Sequence, residues 1–172
     1  MSSTSNRRYK ADHLKRLIEP KDLGAFAEKI RRNGKTLVTL NGSFDLLHAG
    51  HLEMIYQASL QGDILLVALN SDASIRKYKS PLRPIIPLEY RLQMMSALRF
   101  VNYVTWFEQT DPLALLEILR PDVHVNGSEY GENCIESEVV KKHGGRLHIV
   151  PLIPGLSTSE IINKIQSLPK GN

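Results

Sequence analysis

The sequence predicts an α/β domain, a parallel sheet of about five strands with helices on both faces. Three observations carry that prediction. Apolar, β-rich runs alternate with amphipathic stretches about five times, with short connections. Ile64–Leu69 is a continuous apolar run, as a strand covered on both faces requires. The 172 residues are 42% hydrophobic and 23% charged, enough for one core and unlike a disordered or fibrous chain.

The elements follow in order. Residues 1–9 are polar. Residues 11–32 read as a helix in two pieces broken near Pro20, with Leu23, Phe26, Ala27 and Ile30 on one face and Asn33-Gly34 as the stop. The chain thus divides into a polar tail and helical extension, 1–34, and a main domain, 35–172. Thr36–Leu40 is the first strand and ends at Asn41-Gly42. Residues 50–61 form a helix with Leu52, Ile55, Tyr56 and Leu60 on one side, and Gln61-Gly62-Asp63 breaks it before the second strand. A basic stretch with prolines at 81, 84 and 87 follows. Then come a helix at 88–99, a strand at Tyr103–Phe107, a helix at 112–120 and a short strand at Val123–Val125. A helix at 136–143, a strand at Leu147–Val150 and a last helix at 158–168 complete the pattern.

Composition narrows the function classes. No apolar run is long enough to span a bilayer, and the N-terminus shows no secretory h-region. Cys134 is the only cysteine, so no intrachain disulfide can form, and a reducing, cytoplasmic setting is expected. The net charge of +4 is unevenly spread. Residues 1–35 hold 10 Lys/Arg against 4 Asp/Glu, so the main body is slightly acidic. A nucleic-acid protein more often carries its basic stripe across the fold, so no nucleic-acid partner is expected. One basic cluster stands out within the body: Arg76, Lys77, Lys79, Arg83 and Arg91, with Glu89 as the lone acid between them.

In parallel sheets, ligands bind beyond the carboxyl ends of the strands. The first strand runs out into Asn41-Gly42-Ser43-Phe44-Asp45-Leu46-Leu47-His48-Ala49-Gly50-His51. His48 and His51 are three apart and share one face of the first helical turn. Ala49 and Gly50 leave the backbone there open to a bulky group. The free N–H groups of that turn, with the helix dipole, make an anion site. Two imidazoles beside it suit a phosphate, donating hydrogen bonds that strengthen as charge builds. A chance H-x-G-H in this composition has an expectation of roughly one in a hundred. Zinc is the competing reading of His-x-x-His, but it needs a third protein ligand and only one cysteine exists. His13, His143 and His148 read as ordinary surface or packing residues.

The string GSFDLLHAGH closely resembles the G-x-F-D-x-x-H-x-G-H signature of the cytidylyltransferase-like nucleotidyltransferases. Within that superfamily the chain looks most like bacterial heptose-1-phosphate adenylyltransferases. The resemblance spans about residues 35–166 and includes GDILLVALNSDASIRKYK, RPI, the Arg91 helix, PDVHVNGSEY and GLSTSEIINKI. Those enzymes often form half of a bifunctional kinase/adenylyltransferase, and no kinase half is present in these residues.

The resemblance implies a Rossmann-like fold and a transferase moving AMP from ATP to a sugar phosphate, with pyrophosphate released. It implies His48, His51, Lys79 and Arg91 as catalytic residues. It implies Asn41, Gly42, Ser43, Phe44, Gly50, Asn126, Gly127, Ser157 and Thr158 as nucleotide contacts. Asp45, Asp72 and Arg83 would face the substrate or its Mg²⁺, an ion held mainly by phosphates. Asp45 has an equally simple reading as a local cap on its turn. Arg76 and Lys77 read as solvated surface. Ser157 and Glu160 also fit a helix capping box, compatible with phosphate binding. A homodimer is an expectation of the same kind.

Three positions depart from the family pattern. Asn126 stands where a phosphate-facing lysine is common, Asn102 where an aspartate is usual, and Ser43 where cysteine is common. Leu152–Thr158 lacks the arginine that glycerol-3-phosphate cytidylyltransferases carry in R-T-E-G-I-S-T, which favours ATP over CTP. The competing activities are a CTP-dependent glycerol-3-phosphate cytidylyltransferase and adenylyl transfer to flavin mononucleotide. A catalytically reduced nucleotide-binding module is the reading from another class.

Overall fold

A computed structural model describes residues 13–131 and 133–169. The expectations for residues 1–12 lie outside the described residues. Five strands, β1 (Leu37–Gly42), β2 (Ile64–Asn70), β3 (Tyr103–Phe107), β4 (Val123–Gly127) and β5 (Arg146–Val150), form one sheet in the order β3-β2-β1-β4-β5. Every pairing is parallel. The helices are α1 (Leu23–Arg32), α2 (Ala49–Ser59), α3 (Asp72–Tyr78), α4 (Leu88–Ala97), α5 (Leu113–Leu119), α6 (Glu136–Lys142) and α7 (Thr158–Ser167).

Alternation along the strands divides the core into two layers. Val38, Leu40, Leu65, Val67 and Leu69 point to one face, where Ile55 and Ala58 of α2 and Met95 of α4 cover them. Leu37, Leu66 and Ala68 point to the other, against Leu23, Ala27 and Ile30 of α1 and Leu115 and Leu119 of α5. Both faces of β2 are therefore dry, which is why its sequence is an unbroken apolar run.

The chain winds outward from β1 through β2 to β3, then crosses back over the sheet to β4 and β5. The switch point therefore lies between the carboxyl ends of β1 and β4, where such sheets open a crevice.

Two sequence expectations change. The first helical piece does not run on to Pro20. Leu17 forms a parallel bridge with Val104, and the Ile18 amide donates to the Val104 carbonyl at 2.9 Å, covering the free edge of β3. Arg16 anchors this segment by donating to the carbonyls of Ser96, Leu98 and Val101. Helix α3 lies within the stretch read from sequence only as basic and proline-rich. Ser71 caps it, its hydroxyl accepting from the Ser74 amide at 3.1 Å. With seven residues and two buried ones, Ser74 and Ile75, it offers no clear 3.6-residue period.

Candidate active site

Beyond β1 the chain must turn into α2 while leaving room above the strand ends. Phe44 does this at φ 45°, a left-handed conformation that is strained for an aromatic residue. Its ring folds back over Gly42, where a Cβ would lie 3.0 Å from the Phe44 ring. The edge of the same ring meets His51, with centroids 5.2 Å apart. Phe44 thus fixes one wall of the crevice and one face of the second imidazole.

His48 is the N-cap residue of α2, but its side chain makes no capping hydrogen bond. The first-turn amides are therefore not consumed by it. The rings of His48 and His51 stack with centroids 3.8 Å apart and 25° between planes. Neither Nδ1 has a partner among the described residues. Burial pushes both imidazoles below the ordinary histidine range. His51 falls to about 4, because burial, any charge gained by the stacked His48 and the nearby Lys79 ammonium all disfavour its protonated form. Both rings are thus neutral donors at pH 7. Gly50 lets them sit this way: a Cβ there would stand 3.1 Å from the His48 ring and 3.4 Å from the Leu156 carbonyl.

One cleft gathers most of the residues named from sequence. Asn41, Gly42, Ser43, Phe44, His48, Gly50, His51, Lys79, Asn126, Gly127, Ser157 and Thr158 all line it. Lys79, at the end of α3, donates from Nζ to Ser43 Oγ at 2.8 Å. Burial, then Arg83, holds its ammonium below the usual lysine range, although Asp45 pulls the other way. Asn126 is 4% exposed, and its amide nitrogen lies 3.3 Å from Glu136 Oε2 and 3.2 Å from Cys134 Sγ. Ser157 caps α7, accepting from the Glu160 amide at 3.1 Å.

Four predicted residues do not line the cleft. Arg91 is buried at 1% exposure, and its guanidinium donates to the carbonyls of Ile86, Ser43 and Asn70 and to Asp72 Oδ1. Asp72 also accepts from the Leu88 amide. Asp45 is neither a local turn cap nor open to solvent. Its carboxylate accepts from Arg83 Nε and from the amides of Ile85 and Ile86, some 40 residues away. These groups stand behind the cleft wall, held by bonds that sequence spacing cannot show.

The cleft also contains residues that sequence reading missed: Met54, Glu129, Tyr130, Leu152, Ile153 and Leu156. No periodicity marks them. Met54 comes from α2, and the others arrive from loops after β4 and β5, the second turned at Gly155 with φ 76°. The Glu129 carboxylate lies against Gly127, in the space that a Cβ there would take. The cleft lining thus includes both a cation, Lys79, and a carboxylate, Glu129.

The donors available decide what metal could sit here. Among the described residues no group of three His, Cys, Asp or Glu side chains converges, so the stacked imidazoles have no third zinc ligand. Both Asp45 oxygens receive Arg83 or backbone amides, and Asp72 Oδ1 receives Arg91 and the Leu88 amide.

A parallel sheet with a histidine pair at the strand-to-helix mouth beside its switch point defines a nucleotide-handling α/β enzyme. The chain belongs to the cytidylyltransferase-like family, whose model matches residues 39–164, and it is a nucleotidyltransferase. The bifunctional protein HldE of Syntrophotalea carbinolica is 44% identical over 136 residues, covering 78% of this chain. That of Geobacter sulfurreducens is 45% identical over 140 residues, covering 81%. In each case the match takes in 28% of the relative's length, so the chain spans under a third of those proteins. A lipopolysaccharide core biosynthesis protein from Thermoplasma volcanium superposes with a TM-score of 0.56 at 27% identity, over 70% of this chain and 98% of that one. The pantoate-beta-alanine ligase of Francisella tularensis, with a TM-score of 0.60 at 15% identity over 88% of this chain and 78% of that one, shares the fold. Among the described residues no helix is long and apolar enough to cross a membrane.

Proposed function

We propose that this chain transfers AMP from ATP to a sugar phosphate, heptose 1-phosphate, releasing pyrophosphate and supplying an activated sugar for lipopolysaccharide core synthesis. The observation that carries the proposal is the stacked His48–His51 pair at the mouth of α2, with Lys79 on the same cleft. The likeness to proteins named HldE and to the Thermoplasma lipopolysaccharide core biosynthesis protein supports a sugar-phosphate acceptor.

In the reaction, a phosphate oxygen of the acceptor attacks the α-phosphorus of ATP. The bond from that phosphorus to the bridging oxygen breaks, and its electron pair leaves with pyrophosphate. The acceptor is anionic at pH 7, so no general base is required. Catalysis rests on positioning and on donors aimed at growing charge. His48 and His51 hold the α-phosphoryl oxygens, Lys79 screens the departing phosphates, and the capped start of α7 at Ser157 and Thr158 offers amides to the triphosphate. A Mg²⁺ carried on the nucleotide's phosphates, with no carboxylate of the cleft assigned to hold it, would supply charge neutralisation of the triphosphate. Glu129 repels phosphate and suits hydroxyl groups, which orients the nucleoside or sugar towards the β4 end.

Pyrophosphate release from ATP or CTP, measured against heptose 1-phosphate, other sugar phosphates, glycerol 3-phosphate and flavin mononucleotide, tests this directly. Turnover is expected with ATP and heptose 1-phosphate. Turnover confined to CTP and glycerol 3-phosphate would replace the proposal, and nucleotide binding without release from any acceptor would mark a non-catalytic module.

A further inference from the structure

Residues 79–87 link α3 to α4 through nine residues that include three prolines. Proline lacks an amide donor, so such a segment cannot hold itself by regular hydrogen bonding. It is held from outside, by the loop that carries the histidines. The Asp45 side chain is fully buried, and its two oxygens receive four contacts: Arg83 Nε at 2.6 Å, the Ile85 amide at 2.8 and 3.0 Å, and the Ile86 amide at 2.8 Å. A carboxylate has about four lone-pair sites, so Asp45 has none left for a metal or a substrate. Two residues earlier on the same loop, Ser43 receives Lys79, and its carbonyl receives Arg91.

The result is a closed ring. The loop grips the segment at Lys79 through Ser43 and at residues 83–86 through Asp45. The charges match: Arg83 pairs with Asp45, and Arg91 with Asp72 at 2.7 Å. Of the five basic residues between 76 and 91, Lys79 is the one that lines the cleft among the described residues.

We infer that Asp45 is a positioning residue for phosphate binding, tethering residues 83–86 so that the Lys79 ammonium stands over Ser43 at the cleft. The inference rests on reading the cleft as a triphosphate site. It places Asp45 in the reaction only through Lys79, without contact with nucleotide or Mg²⁺.

Calorimetric binding of MgATP and of inorganic tripolyphosphate to the full chain tests it, using Asp45→Asn, Lys79→Ala and the double variant. Asn keeps the shape of Asp45 but turns an amide donor towards donors. Each single change is expected to weaken tripolyphosphate binding about tenfold or more, the usual effect of losing a charged hydrogen bond. The double variant is expected to bind no more weakly than Lys79→Ala alone, since both changes act on one ammonium. Losses that multiply would overturn the inference. So would a rise in the Mg²⁺ concentration that Asp45→Asn needs for half-maximal binding of ATP, which would make Asp45 a metal ligand. Where Asp45→Asn lowers the melting temperature too far to bind anything, Arg83→Met cuts the same tether from its other side. The same non-additivity with Lys79→Ala is expected, and additivity there also overturns it. A wild-type chain that binds neither ligand overturns the cleft reading along with the inference, whereas additive losses in a chain that binds both remove the tether alone.

Discussion

At the scale of single residues, some groups face the cleft and others hold it in shape. His51→Ala should lower kcat about 10²–10³-fold with the fold retained, the usual effect of removing one preorganised donor from a developing oxyanion. Steady-state kinetics check this, and activity within a few-fold of wild type would take His51 out of the mechanism. Lys79→Ala should reduce both turnover and ATP affinity. A third residue makes a stability prediction. His124 is fully buried in β4 and shares a 2.8 Å hydrogen bond with Thr39, and burial lowers its pKa to about 4. The unfolded chain takes up that proton near 6.5 and the folded one only near 4. Stability should therefore be complete above about pH 6.5 and fall as pH drops towards 4, by on the order of 3 kcal/mol for this residue. His51, shifted the same way, steepens the fall. Urea midpoints measured across that window should decline, and His124→Asn should flatten the curve. The histidine pair was legible in the sequence because its geometry is local: three residues, one helical turn. The part played by Arg91 was not, since its partners lie 5, 19, 21 and 48 residues away.

Among the elements, the strands were the most legible, since β2 and β3 announce themselves by apolar runs with breaks at both ends. Their limits moved by a residue or two, with β1 reaching Gly42 and β4 reaching Gly127, because pairing with a neighbour extends a strand beyond its apolar stretch. Helix α3 was hidden by its length and its polar start. Helix α7 was legible through its cap. Its Ser157 hydroxyl bonds both the amide and the carboxylate of Glu160. Ser157→Ala should destabilise the helix by about 1 kcal/mol. If the same helix start receives phosphate, the substitution should also weaken MgATP binding, whereas a purely structural cap would leave the affinity unchanged. Binding measured beside denaturant unfolding separates the two.

For the whole molecule, the switch point between β1 and β4 explains why residues from positions 40 to 159 meet in one cleft. The sequence showed the sheet and the β1 side of that cleft. From β4 onward it gave, through the resemblance, Asn126, Gly127, Ser157 and Thr158, but not Glu129, Tyr130, Leu152 and Ile153, which are brought in by loops without a repeating pattern. Ligand binding to the folded state should stabilise the entire sheet. MgATP at a hundred times its dissociation constant adds about 2.7 kcal/mol. For a chain of this size that corresponds to a melting-temperature rise of roughly 5–10 °C. Thermal unfolding with MgATP and with MgCTP should show the larger rise for ATP.

The central claim is that His48 and His51 grip the phosphorus that changes hands. A crystal structure of the chain with a non-hydrolysable ATP analogue and Mg²⁺ tests it most directly. The α-phosphoryl oxygens are expected within hydrogen-bonding distance, about 2.7–3.2 Å, of ring nitrogens of both histidines. A triphosphate bound elsewhere in the cleft, with neither ring touching the α-phosphate, would contradict it.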